Sequence, residues 1–133
     1  FEGDKRNRNI DSFTGMALEA YLLQIKGDSS QAEISFHQIL KKIEDTINPK
    51  YPIRSNLLAG CYACLGMHEE ALNELKIGAG AGTYSYYYLS MLPLLDPIRH
   101  LPEYMEIMDN LKAKSDRMRN NVMAKAYSEE LKK

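Results

Sequence analysis

Two segments of this chain repeat one another at a spacing of 39 residues, and this repeat limits the possible folds more than any other feature. Gly27 and Gly66 occupy matching positions in the two segments, and so do Ala32 and Ala71. A repeat of this length is typical of stacked helical hairpins, because a single hairpin cannot bury its apolar face alone. The sequence therefore predicts two successive units, each made of a helix, a glycine turn and a second helix.

The residues around each glycine fit the end of one helix and the start of the next. Glycine adopts the left-handed conformation that ends many helices at little cost. After Gly27, Ser30 and Glu33 form a capping-box pattern. After Gly66, the carboxylates at 69–70 suit the first turn of a helix, where the helix dipole favours negative charge. We therefore expect new helices to begin shortly after both glycines.

Apolar residues recur at helical spacing after the first glycine, so the second helix of that unit must bury an apolar stripe against a neighbour. The stripe comprises Ala32, Phe36, Ile39, Leu40, Ile43 and Ile47. Prolines at 49 and 52 separate this unit from the next, since neither fits inside a helix. The glycine-rich residues 78–82 mark the next break.

The C-terminal part of the chain is predicted to be helical as well. Residues 84–92 predict a short helix that ends at Pro93. The Asp96-Pro97 pair resembles a helix start with proline in the first turn, and Pro102 predicts the start of a last helix. That helix carries Tyr104, Ile107, Met108 and Leu111 at helical spacing. The spacing of Met118, Val122 and Ala126 predicts that the tail is helical too.

Charge is unevenly distributed along the chain and argues against a dedicated nucleic-acid binder. The 133 residues carry a formal net charge of -1. From residue 112 to the end there are seven basic and three acidic residues, so this tail has a net charge of +4 and the rest -5. Because nucleic-acid affinity comes mostly from neutralising phosphates, an acidic body makes that partner a poor fit. We interpret the basic tail as the solvated face of a helix, and a contact for an acidic partner or nucleic acid is the alternative.

The apolar content is that of a globular chain without a membrane span. No run approaches eighteen apolar residues, and no secretory signal is visible. We therefore expect a cytoplasmic protein. The chain begins with Phe1 rather than methionine, so we expect it to be a fragment of a longer protein or a processed chain.

These residues resemble the tetratricopeptide repeat (TPR) family, whose pattern is W-x2-L-G-x2-Y, then A-x3-F, over about 34 residues. The second unit follows the pattern with Ser55, Leu58, Ala59, Tyr62, Ala71 and Leu75. The first unit follows it more loosely with Met16, Glu19, Ala20, Leu23, Ala32 and Phe36. Both units lack the tryptophan, and residues 48–52 can absorb the extra length of the period.

A second resemblance covers the segment from Tyr88 to Tyr104. Its Pro-Leu-Leu-Asp-Pro-Ile-Arg run is similar to the closing segment of TPR arrays at the C-terminal ends of bacterial cyclases and winged-helix regulators. Together the resemblances imply an all-α fold, a right-handed α-α superhelix of TPR-like hairpins with a C-terminal capping helix. The expected single domain, 1–133, divides into a degenerate first repeat (10–47), a second repeat (52–78), a capping third unit (83–111) and a basic helical tail (112–133).

Several motifs that could indicate a metal, redox or phosphate-binding site are better explained by structural roles. Cys61 and Cys64 lie within one predicted helix, without the second ligand pair of a zinc site or the strand-to-helix junction of a redox site. The histidines, His37, His68 and His100, do not pair at metal-ligand spacing. The glycines of 78–82 lack the Lys-Ser/Thr that a phosphate loop requires. We therefore expect no metal, no cofactor and no catalysis.

The tyrosine cluster leaves two interpretations open. Tyr84, Tyr86, Tyr87 and Tyr88 fall within little more than one helical turn, so they cannot all face inward. Core packing is the favoured interpretation, and a contribution to a binding surface is the other.

The resemblance implies where a partner would bind. In TPR proteins, side chains from the first helix of each unit line a concave groove. The implied positions are Thr14, Ala17, Tyr21, Gln24 and Ile25 in the first unit, and Ile53, Asn56, Gly60, Ala63 and Cys64 in the second. This groove carries almost no cations, so it does not suit capture of a C-terminal carboxylate; it suits an apolar peptide, a helix or a neighbouring domain.

Two hypotheses for function follow. The first is a protein-interaction or regulatory module that binds a protein or peptide partner, which can be another domain of the same bacterial protein. The second is a self-association module, driven by apolar surface at an uncovered end of the repeat or along the tail.

Overall fold

The computed structural model describes residues 2–80 and 86–132, with side chains for 12–51, 53–80, 86 and 88–132. All regular structure in these residues is helical, so the predicted all-α class is confirmed. Six α-helices and one 3-10 helix are present in the described ranges: α1 (Glu2–Ile25), α2 (Ser29–Thr46), α3 (Pro52–Cys64), α4 (His68–Gly80), α5 (Tyr86–Met91), the 3-10 helix (Pro93–Ile98) and α6 (Pro102–Leu131). None of the helices in these ranges combines the length and apolar character needed to cross a membrane.

Both glycine turns end their helices as the sequence predicts. Gly27 and Gly66 have positive φ angles of 96° and 78°. Gly27 N donates to Gln24 O, and the next residue's N donates to Leu23 O, at 3.0 and 2.9 Å. Gly66 and the residue after it make the same two bonds. These two hydrogen bonds satisfy carbonyls at the helix end, and only glycine adopts the required backbone conformation at little cost in free energy.

The capping-box prediction for α2 is wrong. The helix begins at Ser29, and its cap is Asp28, whose Oδ1 accepts a hydrogen bond from Gln31 N at 3.4 Å. Ser30 therefore lies inside the first turn. Aspartate and serine cap helices equally well, so local sequence does not decide between them. The start of α4 at His68, with Glu69 and Glu70 in its first turn, is confirmed.

Helix α3 lies at the centre of the molecule and contributes to two apolar clusters. The first cluster joins α1, α2 and α3 around Phe36, Ile39 and Ile43. The second joins α3 to α4, α5 and α6 around Leu75 and Leu89. The 3-10 helix connects them, because Leu94 belongs to the first cluster and Leu95 and Ile98 to the second.

The C-terminal region differs from the prediction at one point. The prediction that Asp96-Pro97 starts a helix is wrong: the 3-10 helix starts at Pro93, and Pro97 lies inside it. Proline has no N–H to donate to the carbonyl of Leu94 three residues earlier, and that carbonyl instead accepts a bond from Cys64 Sγ. The predicted short helix at 84–92 is present from Tyr86 to Met91, while Tyr84 lies outside the described residues.

Three predicted boundaries of the repeat units, at 10, 78 and 111, fall inside helices. Helix α1 begins at Glu2, before the predicted start of the first repeat at 10, and α4 continues through Gly80 into the glycine-rich stretch. Helix α6 runs unbroken from Pro102 to Leu131, so the capping unit and the helical tail share one helix. Leu111 is the last buried residue in the described part of that helix.

Candidate functional site

The ten predicted groove residues lie on α1 and α3, and the chain's own 3-10 helix packs against both of these helices. Leu94 occupies the space above Gly60: a Cβ placed on this glycine would lie 3.0 Å from Leu94 Cβ and 3.2 Å from Leu94 Cδ1. The missing side chain at 60 therefore allows this close approach. Leu94, Leu95 and Ile98 are at most 1% exposed, so the segment is part of the core.

Polar groups of the predicted groove hold this segment in place. Tyr21 donates from its hydroxyl to Asp96 Oδ2 at 3.0 Å, and Cys64 donates from Sγ to Leu94 O at 3.4 Å. Gln24 Nε2 donates to the carbonyl of Cys64 at 2.7 Å, which ties α1 to the end of α3. Three of the predicted partner-binding side chains are therefore engaged within the chain itself.

The other predicted groove residues fall into three environments. Ala17, Gly60 and Ala63 are buried, and Thr14 and Ile53 are half-buried. Ile25 is 64% exposed and lies on the surface of α1 one helical turn from the exposed Leu22. Asn56 is 2% exposed, and within the described residues neither its Oδ1 nor its Nδ2 has a hydrogen-bond partner.

Asn56 is the most unusual polar group among the predicted groove residues. A buried amide without partners costs about 1–3 kcal/mol per unsatisfied group, and such groups are rare in native proteins. The neighbouring Arg54 Nε is also buried, and the described structure offers it no partner either. The start of α3 thus contains buried donor and acceptor atoms that have no hydrogen-bond partner among the described residues. The TPR resemblance implied that Asn56 lies in the groove, but no sequence signal pointed to Arg54.

Arg99, the last residue of the Pro-Leu-Leu-Asp-Pro-Ile-Arg run, connects α5, the 3-10 helix and α6, a role that the sequence did not indicate. Its Nε lies 2.7 Å from Asp96 Oδ1, and its Nη1 donates to the hydroxyl of Tyr104 at 2.6 Å. Its Nη atoms also donate to the carbonyls of Leu89 and Leu92. Burial is the main cause that raises the pKa of the Tyr104 phenol. The network is structural, because every partner belongs to a helix end that it fastens.

The tyrosine cluster divides between core and surface. Tyr86 is half-buried and packs against the second apolar cluster, while Tyr88 is 43% exposed. Tyr84 and the side chain of Tyr87 lie outside the described residues. Where it is described, the cluster therefore has one inward and one outward member.

The cysteines and histidines lie in different environments in the described part of the chain. Cys61 and Cys64 are buried free thiols on α3. The rings of His68 and His100 lie 6.5 Å apart, edge to face, and His37 is exposed on α2. In residues 2–80 and 86–132, no three His, Cys, Asp or Glu side chains are placed to hold a metal ion.

Both thiols should be unreactive in the folded protein. Burial raises the pKa of Cys61 to about 12, with a smaller contribution from Cys64, and burial raises that of Cys64 to about 12, with a smaller contribution from Asp96. We expect alkylation by iodoacetamide at pH 9 to be on the order of a hundredfold slower in buffer than in urea, since only the thiolate reacts. The stability that the protonated thiols contribute is complete below about pH 9 and is lost as the pH rises toward about 12. Equal labelling rates in buffer and in urea would show that α3 exposes these thiols.

The second half of α6 is exposed to solvent along its described length. Beyond Leu111 the described residues of this helix are exposed or half-exposed. Large apolar side chains on this part are more than half exposed: Met118, Val122, Met123, Tyr127 and Leu131. A helix of this length without tertiary contacts is marginally stable in water, so a partner for this surface would stabilise it.

Comparisons with protein-family models, with curated proteins and with solved structures give no match to this chain.

Proposed function

We propose that this chain is a non-catalytic protein-interaction module of the TPR type, in which the hairpins α1–α2 and α3–α4 form a right-handed superhelix closed by α6. The repeat of 39 residues and the two identical glycine turns support this proposal. The packing of the 3-10 helix against both α1 and α3 further supports a shared face of these two helices. The likeness of residues 88–104 to closing segments in bacterial cyclases and winged-helix regulators favours a regulatory role within a larger bacterial protein in the cytoplasm.

The observation that carries the binding role is the unsatisfied amide of Asn56. An asparagine side chain has one acceptor and two donor positions, which match the N–H and C=O of a peptide backbone. Ile53 beside Asn56 is half-buried, and Ile25 is exposed at the end of α1, which the Gln24 bond holds beside the end of α3. A peptide that runs along α3 from Asn56 toward Cys64 would therefore meet an apolar side chain at each end. We propose that the partner is a peptide segment, or a segment of another domain, that supplies backbone hydrogen bonds to Asn56. Because Asn56 is 2% exposed, binding requires a local opening beside the start of α3.

The substitution Asn56→Leu tests this role, because it should stabilise the free protein and abolish peptide binding. Leucine has nearly the same size and no polar atoms, so it relieves the unsatisfied amide. We expect the free energy of unfolding, measured in urea, to rise by about 1–3 kcal/mol. Peptides selected from a displayed random library on the unchanged chain should lose binding to the variant in a titration.

The matched control is Asn73→Leu on the exposed face of α4, which should leave peptide affinity unchanged. Ile25→Ala should weaken peptide binding without a large effect on stability, because this side chain is mostly exposed in the free chain. If Asn56→Leu destabilises the protein and the selected peptides still bind, the amide has a structural role and the binding proposal fails.

Self-association is the second candidate function, and the exposed second half of α6 favours it. Its apolar side chains have no neighbouring helix in the described structure, and a second copy would supply one. Light scattering over a concentration series distinguishes the two candidates, since a peptide-binding module remains monomeric without its peptide.

A further inference from the structure

Charged residues alternate in sign along one face of α6, so that the same face read in the opposite direction has the opposite charge at every charged position. Six residues are spaced alternately four and three apart, which places them along one face of a helix and is the spacing of a coiled-coil seam. They are Met105, Asp109, Lys112, Asp116, Arg119 and Met123. From the N-terminal end the order is methionine, negative, positive, negative, positive, methionine. From the C-terminal end every charge in that order is inverted.

This face differs from the one that α6 buries in the body. Tyr104, Ile107 and Leu111 are buried within the second apolar cluster. Met105 and Met123, by contrast, are 51% and 63% exposed. The four charged residues between them are exposed or half-exposed. At the margin of this face, Lys112 Nζ lies 5.9 Å from the centre of the Tyr86 ring.

We propose that a second copy of this chain docks on this face with its α6 antiparallel to the first. In this register Met105 meets Met123 of the second copy, Asp109 meets its Arg119, and Lys112 meets its Asp116. Two-fold symmetry repeats each of these pairs, so the same face serves both copies. The overlap from 105 to 123 is about 27 Å long at the rise of an α-helix. This pairing rests on the self-association proposed above and gives it a register, and it does not depend on the groove at Asn56.

The charge distribution along α6 selects the antiparallel direction. Its first ten residues carry Glu103, Glu106 and Asp109 and no basic residue, whereas residues 112–125 carry five basic residues and one acidic residue. Antiparallel helices place the acidic start of one beside the basic middle of the other. Parallel helices would place like charges together, which is unfavourable.

The same pattern argues against a polyanion as the occupant. A nucleic acid or an anionic membrane favours an unbroken run of cations. On this face Asp109 and Asp116 alternate with the basic residues, so every second charged position would repel such a surface. A second copy is the partner on which all six positions find a complement. Ion pairs at an exposed seam are weak and screened by salt, so the dimer should form at high protein concentration and weaken as salt increases.

A charge exchange tests the register. Sedimentation equilibrium at low salt should show self-association of the unchanged chain. Asp109→Arg and Arg119→Asp, each alone, should weaken association about tenfold or more, because each turns two attractive pairs per dimer into repulsive ones. The double variant Asp109→Arg/Arg119→Asp should restore it. The matched controls are Glu106→Arg and Arg117→Asp, which lie on α6 away from this face. Neither should weaken self-association as Asp109→Arg and Arg119→Asp do.

Each outcome decides a different point. A chain that remains monomeric at millimolar concentration in low salt overturns both self-association and the register. A dimer that is insensitive to Asp109→Arg, or a double variant as weak as the single ones, overturns the register while self-association stands. Neither result bears on the peptide selection that tests Asn56.

Crosslinking provides a direct measure of the geometry at the two ends of the seam. A mixture of Met105→Cys chains and Met123→Cys chains should form an intermolecular disulfide under mild oxidation, since a disulfide requires Cα atoms within about 7 Å. Met105→Cys chains alone should crosslink much less, because the two copies of residue 105 lie at opposite ends of the overlap. Equal crosslinking in the mixture and in the single variant would contradict the antiparallel register. Circular dichroism of each variant verifies that α6 remains helical.

Discussion

Leu94→Ala should lower the free energy of unfolding by about 2–5 kcal/mol, the range found when a buried leucine is truncated and the cavity does not collapse. Leu94 is 1% exposed and lies directly against Gly60 at the junction of the two apolar clusters. The close contact leaves little room for either helix to move into the cavity. Urea unfolding followed by circular dichroism measures the change.

The matched control is Leu131→Ala at the end of α6, where the side chain is 72% exposed. We expect its effect to remain within about 0.5 kcal/mol, as for other surface substitutions. A cost below about 1 kcal/mol for Leu94→Ala would show that the 3-10 helix does not fill the face of α1 and α3. This comparison therefore tests how firmly the chain occupies part of its own predicted groove.

Arg99→Ala should lower the free energy of unfolding by about 2–3 kcal/mol, the second largest effect that we expect. The ion pair with Asp96 contributes little of this, because the Asp96 side chain is 50% exposed and water screens the attraction. Most of the loss comes from the carbonyls of Leu89 and Leu92 and from the hydroxyl of Tyr104, which lose a charged donor. Thermal and urea unfolding both measure it.

Two variants separate the contributions at Arg99. Arg99→Lys keeps the charge but lacks the planar fork that reaches several acceptors, so it should show most of the loss. Asp96→Asn removes the ion pair but still offers an oxygen to the Tyr21 hydroxyl, so it should cost less than about 1 kcal/mol. If Asp96→Asn is as damaging as Arg99→Ala, the ion pair and not the carbonyl bonds holds the junction together.

The helices and their turns were predictable because their causes are local. Gly27 and Gly66 each donate to a carbonyl three positions earlier, and the residue after each glycine donates to a carbonyl five positions before itself. Pro52 and Pro102 begin helices because proline lacks a backbone donor. The continuation of α6 through the tail followed from the spacing of Met118 and Val122. The capping residue of α2 was missed because Asp28 and Ser30 are equally good caps and lie only two residues apart.

The environment of the candidate site depended on contacts between distant parts of the chain. The TPR resemblance implied that Tyr21, Gly60 and Cys64 lie on one face, but no local pattern indicated that residues 92–98 fold back onto it. The bond from Tyr21 to Asp96 joins residues 75 positions apart. Its formation depends on how α3 packs against α1, α2, α4 and the 3-10 helix, which the spacing of residues along the chain does not encode.

The sequence by itself determined that the chain is helical and where its helices turn, because these follow from backbone propensities and the helical period. Only the tertiary structure decided that Leu94 covers Gly60, that Arg99 fastens three helix ends, and that the amide of Asn56 is buried without a partner in the described residues. The physical reason is that burial and hydrogen-bond satisfaction are properties of packed surfaces. They become defined only when segments far apart in the chain meet.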